Sequence, residues 1–334
     1  NDRVCIGSEI EKTETGYVLK SLKDIPKIFC DFPLIGTEQF HFPVIINSFY
    51  FNPQTERDGV WLKGSEDDEV KENQELFENA VELFKILLNE ISDKPFFDLY
   101  HIVETRIPLT NEKYFDEYWY KVSIQKPLRE FLLEIKLVEL EDTSSGKKAI
   151  KELWFPEKSY SVKVQNNIWQ FTFDLFPNLV SSKKHIIHWS ELAWDEWQKL
   201  TYPVLTATVA KQENIANLGE TLNTENKETY EWLNAFCTFL LSDETNLQLF
   251  EKYTITPNQK GIFKKKSDLF IDEIEDSTLV NILRLLGDDW HDKLLSKKVR
   301  FGEYATKTKK DIAIKITEKI NERLKSSINL NEDF

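Results

Sequence analysis

Between Val70 and Ile91 the apolar residues Leu76, Phe77, Ala80, Val81, Phe84, Leu87, Leu88 and Ile91 recur at spacings of three and four. That period lines one face of an α-helix and no face of a strand. The other face carries Glu72, Glu75, Glu78 and Glu82, which reads as a solvated surface. Ser92-Asp93-Lys94-Pro95 ends the helix, because proline disfavours helical backbone in the residue before it, and marks a first boundary.

On the N-terminal side of this helix the period is shorter. The runs RVCIGSEI and GYVLKSL predict a strand pair around a turn near Thr13 to Gly16. The sheet continues through KIFCDFPLIG to Val44, Ile45, Ile46, Phe49 and Phe51, β-branched or aromatic residues between Pro43 and Pro53. That apolar run enters a polar loop, Asn52 to Glu56, and then Arg57-Asp58-Gly59. Arg57 therefore stands on a loop carried by a buried strand, with Trp61 just beyond it.

The middle of the chain mixes both periods. PLREFLLEIKLVEL predicts a short helix passing into a strand, and EDTSSGKK, residues 141–148, a polar loop between two strands. Trp169, Phe171, Phe173 and Leu175 alternate with Gln170, Thr172 and Asp174, as a half-buried strand would. Helices follow. One is expected from an N-cap at Ser190 through Ala193, Trp197 and Leu200; another puts Tyr230, Leu233, Phe236, Cys237 and Leu240 on one side. YTITPNQKGIFKKKSDLF reads as two short extended pieces around a turn, and Ile312, Ile316, Ile320 and Leu324 stripe a last helix. The expected fold class is α+β: a mixed sheet with a covering helix in residues 1–95, a mixed β-rich region in 96–185 and a mainly helical region in 186–334.

Composition limits the partners. The 334 residues are 41% apolar and 13% aromatic, enough for one large core or two ordinary ones. The formal charge is −14 and lysines are interspersed with acids, so the sequence lacks the concentrated basic surface that nucleic acid requires. No apolar run has the length of a membrane span and no basic-then-apolar leader is visible, which leads us to expect a cytoplasmic protein without a membrane partner. Cys5, Cys30 and Cys237 are three cysteines at wide spacings, without a metal or disulfide pattern, and fit a reducing compartment. The chain has no methionine, even at position 1, and starts at Asn1 in a strand-like run, which suggests a segment cut from a larger protein.

Chemistry-bearing clusters are few. His185 and His188, three apart, would share a helix face as metal ligands can, yet no HExxH or carboxylate-bearing helix completes the set. Asp288, Asp289, His291 and Asp292 read as a polar turn or helix start, and Cys237 as core packing. There is no GxSxG elbow and no glycine-rich phosphate loop. These readings leave no metal and no cofactor assigned to the chain. Arg57 is the candidate catalytic residue: an arginine on a strand-borne loop can reach a phosphate held by another domain. The simpler alternative is a surface arginine paired with Glu56 or Asp58.

Two stretches carry a resemblance. FPLIGTEQFHFPVIINSFYFNPQTERDGVWL, residues 32–62, resembles the segment that follows the nucleotide-binding domain in sacsin-like proteins, a branch of the GHKL ATPases related to the ninety-kilodalton heat-shock chaperones. TPNQKGIFKKKSDLFIDEIEDSTLVNILRLLG, residues 256–287, is similar to a second sacsin-like pattern with a Pro-Asn-Gln-x-Gly turn. The Asn-bearing helix, Asp-x-Gly turn and glycine-rich lid of the nucleotide site do not occur here in order. The resemblance thus implies a transducer-like region, downstream of an ATP-binding domain that lies elsewhere in a parent protein together with its ATP and Mg. In it the apolar strand would anchor a sheet covered by the acidic helix, Arg57 would face the γ-phosphate, and Trp61 would fix the loop's far end by burial. Where such sequences often have a second arginine, this chain has Asp58. Implied partners are that N-terminal domain and protein clients or partner subunits. The competing classes are a free-standing interaction scaffold without nucleotide coupling and an unrecognised hydrolase.

Overall fold

The computed structural model describes residues 3–64, 67–109, 113–142 and 146–332. The fold is α+β and divides into two compact units, the first comprising Asn1–Trp169 and Phe176–Lys199, the second Gln170–Leu175 and Leu200–Phe334. Among the described residues no helix is long and apolar enough to cross a membrane.

The first unit opens with β1 (Cys5–Gly7), β2 (Ile10–Lys12), β3 (Tyr17–Leu19), β4 (Ile28–Cys30), β5 (Phe32–Pro33) and β6 (Ile45–Asn47). Four of these make a mixed sheet in the order β1-β6-β4-β5, with β6 antiparallel to β1 and parallel to β4. Ile46 sits opposite both Ile6 and Ile28 and is fully buried, and Val44 and Phe51 are buried on either side of the strand, but β6 covers only three residues of the apolar run and Phe49, expected in the same strand, is exposed. The expected strand pair forms as β2 and β3, with Thr13 N–H donating to the Gly16 carbonyl at 2.8 Å. A third strand, β7 (Phe96–Phe97), pairs in parallel with β3 across residue 95, where the sequence suggests a boundary.

The amphipathic helix is α1 (Asp68–Ile91). Its inward face packs Phe77 against Phe40, Phe42 and Phe51 at ring separations of 5.2, 6.1 and 5.5 Å, which covers the segments entering and leaving β6. On its acidic face Glu72 pairs with Arg3. After α1 come α2 (Glu117–Trp119), a π-helical turn at Tyr120–Gln125 and α3 (Lys126–Glu134), which passes directly into β8 (Lys136–Glu139) as the sequence suggests. The polar loop that follows joins β8 to the antiparallel β9 (Lys147–Ala149); residues 143–145 of it lie outside the described residues. Next is β10 (Trp154–Pro156).

Two local expectations are overturned. Trp169 to Leu175 is not a strand but the last half of α4 (Val162–Leu175). Its buried positions, Gln165, Ile168, Trp169, Thr172 and Leu175, follow the helical period, while the alternation came from aromatic residues that stay half-buried on the flanks. Likewise Ser190 caps nothing. It lies inside α5 (Ile186–Leu192) and its hydroxyl donates to the Ile186 carbonyl at 2.8 Å, so the helix precedes the serine; Gln198–Leu200 then forms β11.

The second unit is mainly helical: α6 (Tyr202–Ala210), α7 (Ile215–Leu222), α8 (Asn226–Leu241), α9 (Leu247–Lys252), α10 (Ser277–Leu285) and α11 (Lys309–Glu332). Between them run β12 (Thr256–Pro257) and β13 (Phe263–Lys264), the two extended pieces around the expected turn, and the parallel pair β14 (Ile271–Glu273) and β15 (Thr306–Thr308). Cys237 is fully buried in α8, among its apolar residues. In α11 the stripe is only partly covered: Ile312 is buried and Ile316 packs on the cluster of Ile274, Val280, Leu283, Trp290 and Leu294, whereas Ile320 and Leu324 are exposed.

Candidate functional site

Arg57 occupies the tip of a turn whose two arms are tied to each other and to α1. Its amide donates to the Gln54 carbonyl, and the Gln54 amide to the Gly59 carbonyl, both at 2.9 Å. Pro53 bridges Val60, and the buried Gln54 side chain lies under the turn. One α1 residue then clamps the base: the fully buried Asn73 accepts from the Asn52 amide at 2.8 Å and donates to the Asn52 and Trp61 carbonyls at 2.9 and 2.8 Å. Trp61 itself is only half-buried, edge-on to Tyr114, so hydrogen bonding to its backbone and the buried Val60 and Leu62 fix the far end, not the burial of its ring. Gly36 shapes the other side of the loop. At φ 111° it lies so close that a Cβ there would stand 3.1 Å from the Asp58 Cβ, which brings the two halves of residues 32–62 together.

The arginine is held in a costly conformation. Its φ is 56°, left-handed, where an L side chain crowds its own carbonyl by roughly 1–2 kcal/mol. The side chain is exposed and, among the described residues, pairs with neither Glu56 nor Asp58.

In the second unit the Pro-Asn-Gln-Lys-Gly turn acts as a structural hub. The fully buried Asn258 accepts from the Lys260 and Ile262 amides at 3.0 and 2.9 Å and donates to the Asp292 carbonyl at 3.2 Å. Gln259 meets Asp272 at 2.9 Å and His291 Nδ1 at 2.8 Å, while Lys260 bridges Asp289 and Asp292 at 2.8 and 3.1 Å. Asp288 pairs with Lys293 at 2.7 Å. The cluster from Asp288 to Asp292 is therefore a polar turn whose groups are spent on structure.

His185 and His188 have different fates. His188 is exposed and its ring stacks on Tyr100, with centroids 4.6 Å apart and planes 2° from parallel. Together with His41, His101 and Arg106 these two residues line a cleft of about 540 Å³ in the first unit. His185 lies behind Tyr100, just before α5, and is 3% exposed. It faces Asp98 from the turn after β7 and Glu139 from the end of β8; ligand atoms of the three converge within 4.8 Å. Burial pushes the Glu139 carboxyl up and the His185 imidazole down, and drives the Tyr100 hydroxyl up to about 12 with help from both carboxylates. Sequence spacing sets His185 beside His188; the carboxylates it faces sit 46 and 87 residues upstream on other elements, which no local motif reveals.

No protein family, curated protein or solved structure matches the chain.

Proposed function

We propose that the chain is the region downstream of the nucleotide domain in a sacsin-like ATPase, relaying nucleotide state to protein clients or partner subunits without hydrolysing ATP itself. The observation that carries this reading is Arg57, an exposed cation in no ion pair among the described residues, at the tip of a strained, doubly clamped turn. Strain of this kind persists where surrounding structure over-determines it, and it concentrates at functional positions. A guanidinium carried on a backbone held in this way can reach and offset charge on a transferring phosphoryl group. ATP and Mg would be held by the parent's own N-terminal domain.

A scaffold without nucleotide coupling is the second reading, and it draws on Phe32, Ile35 and Phe49, which are 73%, 68% and 73% exposed. Turnover separates the two. The full-length protein that contains this segment is assayed for ATP hydrolysis and for nucleotide binding, intact and as Arg57→Ala. The transducer reading expects about a 100-fold or greater loss of turnover with binding retained, comparable to losing other fixed charge-stabilising groups. Unchanged turnover, or a parent without any, favours the scaffold.

A further inference from the structure

We propose that Asp98, Glu139 and His185 form a closed binding site for one divalent transition-metal ion of the Zn²⁺ class. The three residues come from separate segments of the first unit, and the backbone already knits them together. The Asp98 amide donates to Glu139 Oε1 at 2.9 Å, and the Ser182 amide to the Glu139 carbonyl at 2.8 Å. The His185 amide then donates to the Ser182 carbonyl at 3.1 Å.

The decisive feature lies on the Nε2 side of His185. Nε2 and Asp98 Oδ1 are both buried and stand 3.0 Å apart, and among the described residues neither atom has a hydrogen-bond partner of good geometry. On the other side of the ring Nδ1 faces Ser182 Oγ at 3.1 Å and Glu139 Oε2 at 3.8 Å. With the ring proton on Nδ1, donated to the Ser182 hydroxyl, the Nε2 lone pair is left for a cation beside Asp98 Oδ1. Two such lone-pair atoms repel unless a cation lies between them. Donors sharing one Zn²⁺ at about 2.0–2.1 Å stand roughly 3.0–3.4 Å apart, so the 3.0 Å between Nε2 and Oδ1 is that of neighbouring ligands, with Glu139 converging on them within 4.8 Å as the third donor. Ser182 would act as the outer partner that fixes tautomer and ring orientation.

Charge and chemistry agree with that choice. Two carboxylates balance a divalent ion, and an imidazole favours a transition metal over Ca²⁺ or Mg²⁺, which take oxygen ligands. Lys184 Nζ is 3.7 Å from Asp98 Oδ1 but its side chain is 76% exposed, and the Lys147 ammonium donates to the Ser92 and Lys94 carbonyls, so neither partners the buried Nε2. Asp98 also has φ 57°, a left-handed turn whose amide meets Glu139 at the end of β8. An ion there would pin the turn after β7, the end of β8 and the start of α5.

The test uses the whole chain, stripped with a chelator and titrated with Zn²⁺ by calorimetry, with Co²⁺ as a spectroscopic probe. The wild type is expected to take up one ion per chain and to give visible Co²⁺ bands. Three near-isosteric variants, Asp98→Asn, Glu139→Gln and His185→Gln, should each weaken Zn²⁺ at least about 100-fold, beyond the 10–100-fold typical of an outer-shell loss. Asparagine tolerates left-handed backbone and glutamine keeps the acceptor for the Asp98 amide, so folding, checked by circular dichroism, should survive. Absence of saturable Zn²⁺ uptake by the folded wild type overturns the site, as does uptake that persists in all three variants. Should the variants not fold, the wild-type Co²⁺ spectrum decides: bands support the site and a hexaaqua-like spectrum refutes it.

Discussion

Replacing Asn73 by alanine tests how the Arg57 turn is held. Asn73 makes three hydrogen bonds to the two arms of the loop, at 2.8, 2.9 and 2.8 Å, from a position with no solvent exposure. Each such bond contributes about 1 kcal/mol net, so their loss costs about 3 kcal/mol. Alanine returns about 0.6 kcal/mol because it is the better helix former in the middle of α1. The expected loss is thus about 2–3 kcal/mol in urea denaturation followed by tryptophan fluorescence. Hydrogen exchange should speed up at the Arg57 and Trp61 amides before it does in the core of α1, since the clamp is local. The neighbouring Gln74→Ala, which gives up one bond to the Leu62 carbonyl at 3.1 Å, should cost about 1 kcal/mol. A loss below about 1 kcal/mol for Asn73→Ala, with loop exchange unchanged, would refute the clamp.

Three further outcomes follow from the same structure. Arg57→Gly removes left-handed strain of about 1–2 kcal/mol and adds about 0.5–1 kcal/mol of unfolded-state freedom, so the unfolding free energy from urea denaturation should rise by a net 0.5–1 kcal/mol or so while Arg57→Ala stays near neutral; a fall for glycine contradicts the strain. Burial holds His41 and His101 below their usual 6.5, so between the folded values and 6.5 the unfolded chain binds more protons. Their contribution is complete above 6.5 and is lost as pH drops through the folded values, and the urea midpoint should be lower at about pH 5.5 than at about pH 8; the reverse order contradicts it. Toward a thiol reagent Cys5, which is exposed, should react first, and Cys237, whose thiol burial pushes well above its ordinary value, only on unfolding. Fast native labelling of Cys237 would contradict the packing of α8.

Elements whose burial follows one clean period were legible from sequence. The stripe of α1, the prolines bracketing the run around β6 and the turn at Gly261 each state their structure locally. The failures came where local signals conflicted. In α4 the aromatic and threonine content is strand-like and only the buried set Gln165, Ile168, Trp169, Thr172 and Leu175 reveals the helix. At Ser190 a good cap residue happens to sit mid-helix with its hydroxyl satisfied by the preceding turn. The site was legible in part. Arg57 could be placed on its loop, and Asn73 left a trace, an asparagine in line with Val70, Leu76 and Phe77 on an otherwise apolar stripe. The meeting of Asp98, Glu139 and His185 left none, because it depends on β8 and α5 being brought together by the tertiary fold.

The most direct test of the central claim is hydrogen exchange of residues 52–61 in the full-length parent protein, with and without a non-hydrolysable ATP analogue. If Arg57 engages a γ-phosphate, the analogue should slow exchange at the tip of the turn in the wild type and leave it unchanged in Arg57→Ala and with ADP. Identical exchange with and without the analogue in the wild type would contradict the account.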